Sequence, residues 1–398
     1  MTDELKKLVK NKQEIPHNED LGNNYYPSGW KPNVEYNNKT KVGEVTAVVR
    51  KKDTTFDYIL ESNGFDPNEF EVAQDTVRYS TWQTQLKGGE VADLYAYKFQ
   101  VRKINPHHDA YYKELLKEIK TKKPLKDKKI KGSNAFLYLM ADWQIGKKDF
   151  GTLNTVNLIK ESVEKSKERI KNLNKTGYPI DEIYIVGLGD LIENCFGFFP
   201  QQPFNIEINK SEQSHLTRRM ILEIVDNFLP YANKIYLAGV PGNHGENRSG
   251  KGDVVTSRLD NEDTNCIQIV GEIMAESERF KKVKTTVPDS HHLALDIKGI
   301  RCGFTHGHMG TGAGDPWGKI ERLWKGQMFG WKPLGTCEIL YSGHYHHLRT
   351  VQQAGRTWFQ APSLDASHEF EERTGYGTNR GVLTMTINKN GWDNLKIL

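Results

Sequence analysis

From Asn134 onward the chain repeats one pattern: a short apolar run, then Gly, Asp, His or Asn, then an amphipathic segment. AFLYLMADW is followed by TVNLIKESVEKSKERIKNL, and EIYIVGLGD by SEQSHLTRRMILEIVDNFL. KIYLAGVPGNH, HLALDIKGIRCGFTHGH, EILYSGHYHH, TWFQAPSLD and GVLTMTINKNG continue the series. Brief apolar runs alternating with helical periodicity predict an α/β fold of buried strands. Polar residues at the carboxyl ends of such strands lie where α/β folds place ligands. The chain should therefore carry its chemistry on one rim of a sheet.

Composition narrows the class. With 398 residues and a hydrophobic fraction of 37%, the chain can bury a sizeable core. At about 100–200 residues per domain, it has room for two domains. No apolar run approaches the ~18–20 residues of a membrane span. MTDELKKLVKNKQE has no apolar stretch of signal-peptide type, and the four cysteines stand apart without a CxxC pair. A cytoplasmic protein with reduced thiols is expected. A net charge of +4 is too small to argue nucleic-acid binding without a local patch.

Residues 1–42 read as a polar, poorly ordered leader with Tyr25, Tyr26 and Trp30 as candidate docking points. Residues 43–104 read as a small α+β module with a recognition role. TTFDYILESNG has helical spacing, and Tyr95, Tyr97, Phe99 and Val101 alternate as in a strand. Residues 105–133 form a Lys-rich helix and linker, with nine lysines between Lys113 and Lys131. That segment is either a solvated hinge or a phosphate-contacting arm.

Five strand ends concentrate the chemistry: Asp142-x-Gln144, Gly189-Asp190, Gly242-Asn243-His244, His306-Gly307-His308 and Gly343-His344-Tyr345-His346. Carboxylate, amide and imidazole donors suit Mn²⁺, Fe²⁺, Zn²⁺ or Mg²⁺, not a thiolate site. Gly ahead of a donor lets the backbone approach closely. In His-x-His at a strand end, residues i and i+2 project to one side, so both imidazoles can reach one dinuclear centre.

These blocks, in this order across roughly residues 135–365, resemble the calcineurin-like metallophosphoesterase family, whose pattern is D-x-H, GD, GNH-[D/E], H and GHxH. The wording ADWQIGK, GDLIEN and PGNHGENR looks most like members encoded by tailed phages, which would place the protein in the host cytoplasm. The resemblance implies a four-layer αββα sandwich over residues 134–398, following the small N-terminal α+β module. It also implies two divalent ions, with Mn²⁺ favoured and Mg²⁺, Fe²⁺ or Zn²⁺ as alternatives. Carried over, Asp142 and His346 hold the first ion, Asp190 bridges, and Asn243, His306 and His344 hold the second. His244 is then the catalytic residue that protonates the leaving oxygen. Two departures stand out. Gln144 replaces the usual His, and is either a ligand or a hydrogen-bonding support. Gly245 displaces the acidic residue to Glu246.

Other residues stay open at this stage. Lys147, Arg218, Arg248 and Lys251 are candidates for binding substrate phosphate. His215 either faces solvent or lines a groove, and CFGFFPQQPF is either a hydrophobic plug or a platform for a nucleobase. Glu193 and Asn194 are placed to orient a ligand. The expected function is a metal-dependent phosphodiesterase, specifically a nuclease or exonuclease acting on DNA. One alternative is a phosphoesterase acting on a small nucleotide or phosphoprotein. The other is a non-catalytic, metal-binding phage structural or accessory protein.

Overall fold

The computed structural model describes residues 27–37, 42–50, 55–67, 69–73, 76–85, 91–103, 107–125, 129–249, 252–365 and 380–398. Tyr25, Tyr26 and Lys251 lie outside them, as does most of the leader. The chain divides into two compact units, Met1–His107 and His108–Leu398.

The first unit is an antiparallel sheet of β1 (Asn33–Asn37), β2 (Val42–Val49), β3 (Phe70–Val72), β4 (Arg78–Gln85) and β5 (Val91–Lys103), in the order β1-β2-β5-β3 with β4 also on β5. The helix α1 (Phe56–Ser62) is capped by Thr55, which accepts from the backbone N–H of Tyr58. Ile59 and Leu60 of α1 bury against Val45, Phe99 and Val101. Tyr36, Phe65 and Phe70 pack edge to face around them. Trp30 packs against a separate small cluster of Val48, Leu94 and Ala96.

The second unit opens with α2 (His107–Thr121), followed by β6 (Asn134–Met140), α3 (Thr152–Lys175), β7 (Ile180–Gly187), α4 (Lys210–Phe228), β8 (Lys234–Gly239) and α5 (Glu262–Ala275). Then come β9 (Val283–Thr286), β10 (His292–Ile297), β11 (Ile300–Thr305), α6 (Pro316–Phe329), β12 (Ile339–Ser342), β13 (Arg349–Gln353), β14 (Arg356–Gln360), β15 (Leu383–Asn388) and β16 (Gly391–Ile397). Six strands form one sheet, β16-β15-β6-β7-β8-β9, and five form another, β10-β11-β12-β14-β13.

Strand alternation decides what each sheet face meets. Phe136, Tyr138 and Met140 of β6 face Ile159 and Val163 of α3, Ile221 and Val225 of α4, and Ile267 of α5. Ala135, Leu137 and Leu139 turn the other way, toward Phe304 of β11, Tyr341 of β12 and Phe359 of β14. The outer side of the five-stranded sheet is covered by Ile320 and Trp324 of α6, which pack on Leu340 and Trp358. Every residue of β6 is buried, as a strand packed on both faces requires.

The Lys-rich segment does not run free along its whole length. Leu115 and Ile119 of α2 are buried in the helix-side core. Lys122 pairs with Glu118 and Asp226, and Glu114 and Glu118 pair with Arg219.

Candidate metal centre

Three parallel strands of one sheet and two of the other deliver their ends to the candidate site. Asp142 follows β6, Asp190 follows β7, Asn243 and His244 follow β8, His306 follows β11 and His344 follows β12. Backbone hydrogen bonds lace the turns together. Asp142 N–H donates to Gly189 O, Gln144 N–H to Asp190 O, and Gly343 N–H to His306 O.

The turns are conformationally demanding. Asp142 (φ 49°), Gln144 (φ 45°), Asp190 (φ 52°), Asn194 (φ 66°), His344 (φ 74°) and His346 (φ 60°) all sit in the left-handed region. That region is uncommon for residues other than Gly and concentrates at functional sites. Gly189 explains the close approach. Its φ is 92°, and a Cβ there would stand 2.6 Å from Gly242 Cα and 2.8 Å from His306 Nδ1.

Asp190, His306 and His344 each offer a donor atom, and these atoms lie within 4.8 Å of one another. His306 Nε2 is 3.0 Å from Asp190 Oδ2 and 2.9 Å from Asn243 Oδ1. The opposite ring nitrogen, Nδ1, donates to Leu188 O at 2.8 Å. With that proton on Nδ1, the lone pair of Nε2 meets two oxygen acceptors in a buried site. Three converging acceptors require a positive charge among them, either a proton or a cation. Burial works against a charged imidazole, but the Asp190 carboxylate outweighs it and pushes His306 up to about 9. For Asp190, burial favours the neutral acid, yet His306 and His244 hold its carboxyl well below the usual range. His344 moves the opposite way, down to about 4, through burial and the charge on His306. The donor set of this group therefore fits a divalent ion.

The second donor group lies around Asp142. Its carboxylate accepts from the backbone N–H of His344 at 3.0 and 3.2 Å, and His346 Nε2 stands 3.4 Å from Oδ1. Gln144 Nε2 is 3.3 Å from His346 Nε2. His344 and His346 thus turn to different neighbours. The i, i+2 strand geometry expected for them fails because β12 ends at Ser342 and both residues are left-handed.

His244 stands beside the Asp190 group. Its backbone N–H donates to Asp190 Oδ1 at 2.7 Å. The ring lies flat on Phe198, with centroids 4.3 Å apart at 4°, and the Arg248 guanidinium sits 4.3 Å from the Phe198 centroid. Burial opposes protonation of His244, but Asp190 and Glu193 overcome it and push the imidazole up to about 10. Phe196 and Phe204 of the same aromatic loop are exposed.

Three of the four phosphate-binding candidates lie among the described residues. Arg218 is buried and donates to Glu262 at 2.8 Å. Arg248 holds Glu246 Oε2 with both Nε (2.9 Å) and Nη2 (2.6 Å). Lys147 donates to Asp365 Oδ2 at 2.5 Å. Each of these cations already pairs with a carboxylate, of which Glu246 and Asp365 are buried and Glu262 is partly exposed. His215 stacks on Tyr111 of α2 at 3.7 Å, away from the strand-end cluster. Glu246 is a buried acceptor for Arg248 and Arg258. Asn194 ties two turns together by donating to His244 O and Glu246 O.

Two residues were missed. Asp263, in the first turn of α5, accepts from the backbone N–H groups of Asp190, Leu191 and Gly242. In sequence it reads only as a helix-start acid. Asp365 ends the TWFQAPSLD strand segment, and the strand-end pattern that found the other donors would have found it too.

No protein-family model and no curated protein matches the chain. Among solved structures it is similar to an archaeal phosphodiesterase at 11% identity and TM-score 0.31, covering 66% of this chain and 99% of that one. It is also similar to vacuolar protein sorting 29 from Cryptosporidium parvum, at 13% identity and TM-score 0.27, covering 64% and 86%. A predicted phosphoesterase from Streptococcus pneumoniae TIGR4 matches at 11% identity and TM-score 0.27, covering 64% and 84%.

Among the described residues, no helix is long and apolar enough to cross a membrane.

Proposed function

We propose that the chain is a metal-dependent phosphoesterase of the calcineurin-like type, acting on phosphodiesters. The supporting observation is the buried convergence of His306 Nε2, Asp190 Oδ2 and Asn243 Oδ1, three acceptors among which a divalent ion can take the place of a proton. The helix-sheet-sheet-helix packing agrees with the αββα sandwich expected of such enzymes.

In this reading Asp190, Asn243, His306 and His344 hold a divalent ion, and Mn²⁺ suits their mixed oxygen and nitrogen donors. The ion would supply Lewis-acid polarisation of a phosphoryl oxygen and of the attacking water. His244 delivers a proton to the departing oxygen. Glu193 holds its Nδ1–H, leaving Nε2–H to face substrate. Asn194 and Asp263 fix the turns that carry these groups.

The substrate is proposed to be nucleic acid, with DNA first. Support comes from the lysines between Lys113 and Lys131, the sequence pI of about 8.6, and the exposed Phe196 and Phe204 as surfaces for base stacking. A panel of linear duplex, single-stranded and circular DNA, a cyclic dinucleotide and bis-(p-nitrophenyl) phosphate, each with Mn²⁺, Mg²⁺ or Zn²⁺, tests this reading. Metal-dependent turnover of the chromogenic diester that is lost in Asp190→Asn is expected, together with cleavage of at least one DNA. Turnover of the cyclic dinucleotide alone would move the substrate to small nucleotides. No turnover of any diester would remove the enzyme reading.

A further inference from the structure

The two donor groups differ in what already occupies them. At the Asp190 group the positive charge among the acceptors is either a proton on His306 Nε2 or an ion in its place. At the Asp142 group a lysine is built in. Lys147 Nζ donates to Gln144 Oε1 at 3.1 Å and to Asp365 Oδ2 at 2.5 Å. Asp365 Oδ2 is in turn 3.8 Å from His346 Nδ1. The Lys147 and Asp365 side chains are only 15% and 5% exposed, so this ammonium is a fixture of the site.

The arrangement decides which way the Gln144 amide points. Its oxygen is taken by the ammonium and its NH₂ is turned toward His346. Aiming the oxygen at an ion beside His346 would swing the NH₂ onto Nζ, placing two donors face to face with no acceptor.

We infer that Lys147 stands in for one of the two cations, so that the protein holds a single divalent ion on Asp190, Asn243, His306 and His344. The inference rests on the metal reading proposed above and corrects its expected ion count. Gln144 is then a partner of Lys147 and not a ligand. The Lys147 ammonium supplies a fixed positive charge against Gln144 and Asp365.

Metal counting tests this without recourse to activity. The full chain is loaded with Mn²⁺, dialysed against metal-free buffer, and examined by elemental analysis and electron paramagnetic resonance. One ion per chain with the spectrum of isolated Mn²⁺ is expected. Gln144→His/Lys147→Met should raise the count to two and give a spin-coupled spectrum. Lys147→Met alone should bind a second ion at saturating Mn²⁺. Two ions retained by the wild-type chain would overturn the inference. So would a count that stays at one in both variants while their circular dichroism melts remain cooperative. No ion in the wild-type chain, or an unchanged count in Asp190→Asn, would instead overturn the metal-centre reading beneath it.

Discussion

His244 Nδ1 lies 2.9 Å from the carbonyl oxygen of Glu193 and 3.4 Å from its buried carboxylate. One residue thereby orients the imidazole by its backbone and biases its charge by its side chain. His244→Ala should lower kcat by about 10²–10⁴-fold, the range typical of a general acid. Metal content, measured by elemental analysis, should not change. Loss of the ion in this variant would show that His244 supports the metal site instead.

Phe198 lies flat against the same ring, with Arg248 on its far face. Phe198→Ala should slow hydrolysis of an alkyl phosphodiester by about tenfold or more, while p-nitrophenyl esters, whose leaving group needs no proton, change little. Phe198→Tyr should restore the rate. Equal losses on both esters would mean that the ring only shapes the pocket.

Asp263 deserves a stability measurement, not a kinetic one. Its carboxylate satisfies three buried backbone N–H groups in two different turns. Asp263→Ala should destabilise the second unit by about 3 kcal/mol, because buried donors left without partners are costly. Urea unfolding checks this, and a loss below about 1 kcal/mol would show that water replaces the carboxylate.

Metal-free protein should show a distinctive pH response. His306 and His244 are raised to about 9 and about 10 in the folded chain, above the ordinary 6.5. Their contribution to stability is fully present below about pH 6.5 and is lost as the pH climbs through 9 to 10. Melting temperatures of chelator-treated protein should fall over that window. Ion binding has the opposite slope, since the ion must displace the proton on His306 Nε2. Mn²⁺ affinity measured by calorimetry should rise about tenfold per pH unit from 6.5 toward 9. Affinity independent of pH would place the ion elsewhere.

Much of the site was legible because its residues share a local signature. Asp142, Asp190, Asn243, His306 and His344 each follow an apolar run at a strand end, and parallel pairing brings such ends together without further instruction. The helix at residues 56–62 and the strand at residues 91–103 were likewise readable from spacing. What escaped were pairings between distant segments. Nothing near Arg218 or Lys147 indicates that Glu262 and Asp365, 44 and 218 residues away, will claim their charges. Period-two alternation does not describe His344 and His346, because β12 stops at Ser342.

The left-handed turns also limit how this protein could change over time. Asp142, Asp190, His344 and His346 must each present a donor atom from a backbone shape that β-branched and bulky residues resist. Asn, Asp, His and Gly are the residues that tolerate it, and three of those four can bind a cation. The main chain has therefore screened the permitted alphabet before any ion arrives. A descendant that no longer used this site would still tend to keep much the same letters at these positions, so their persistence in a relative would testify to geometry as much as to chemistry.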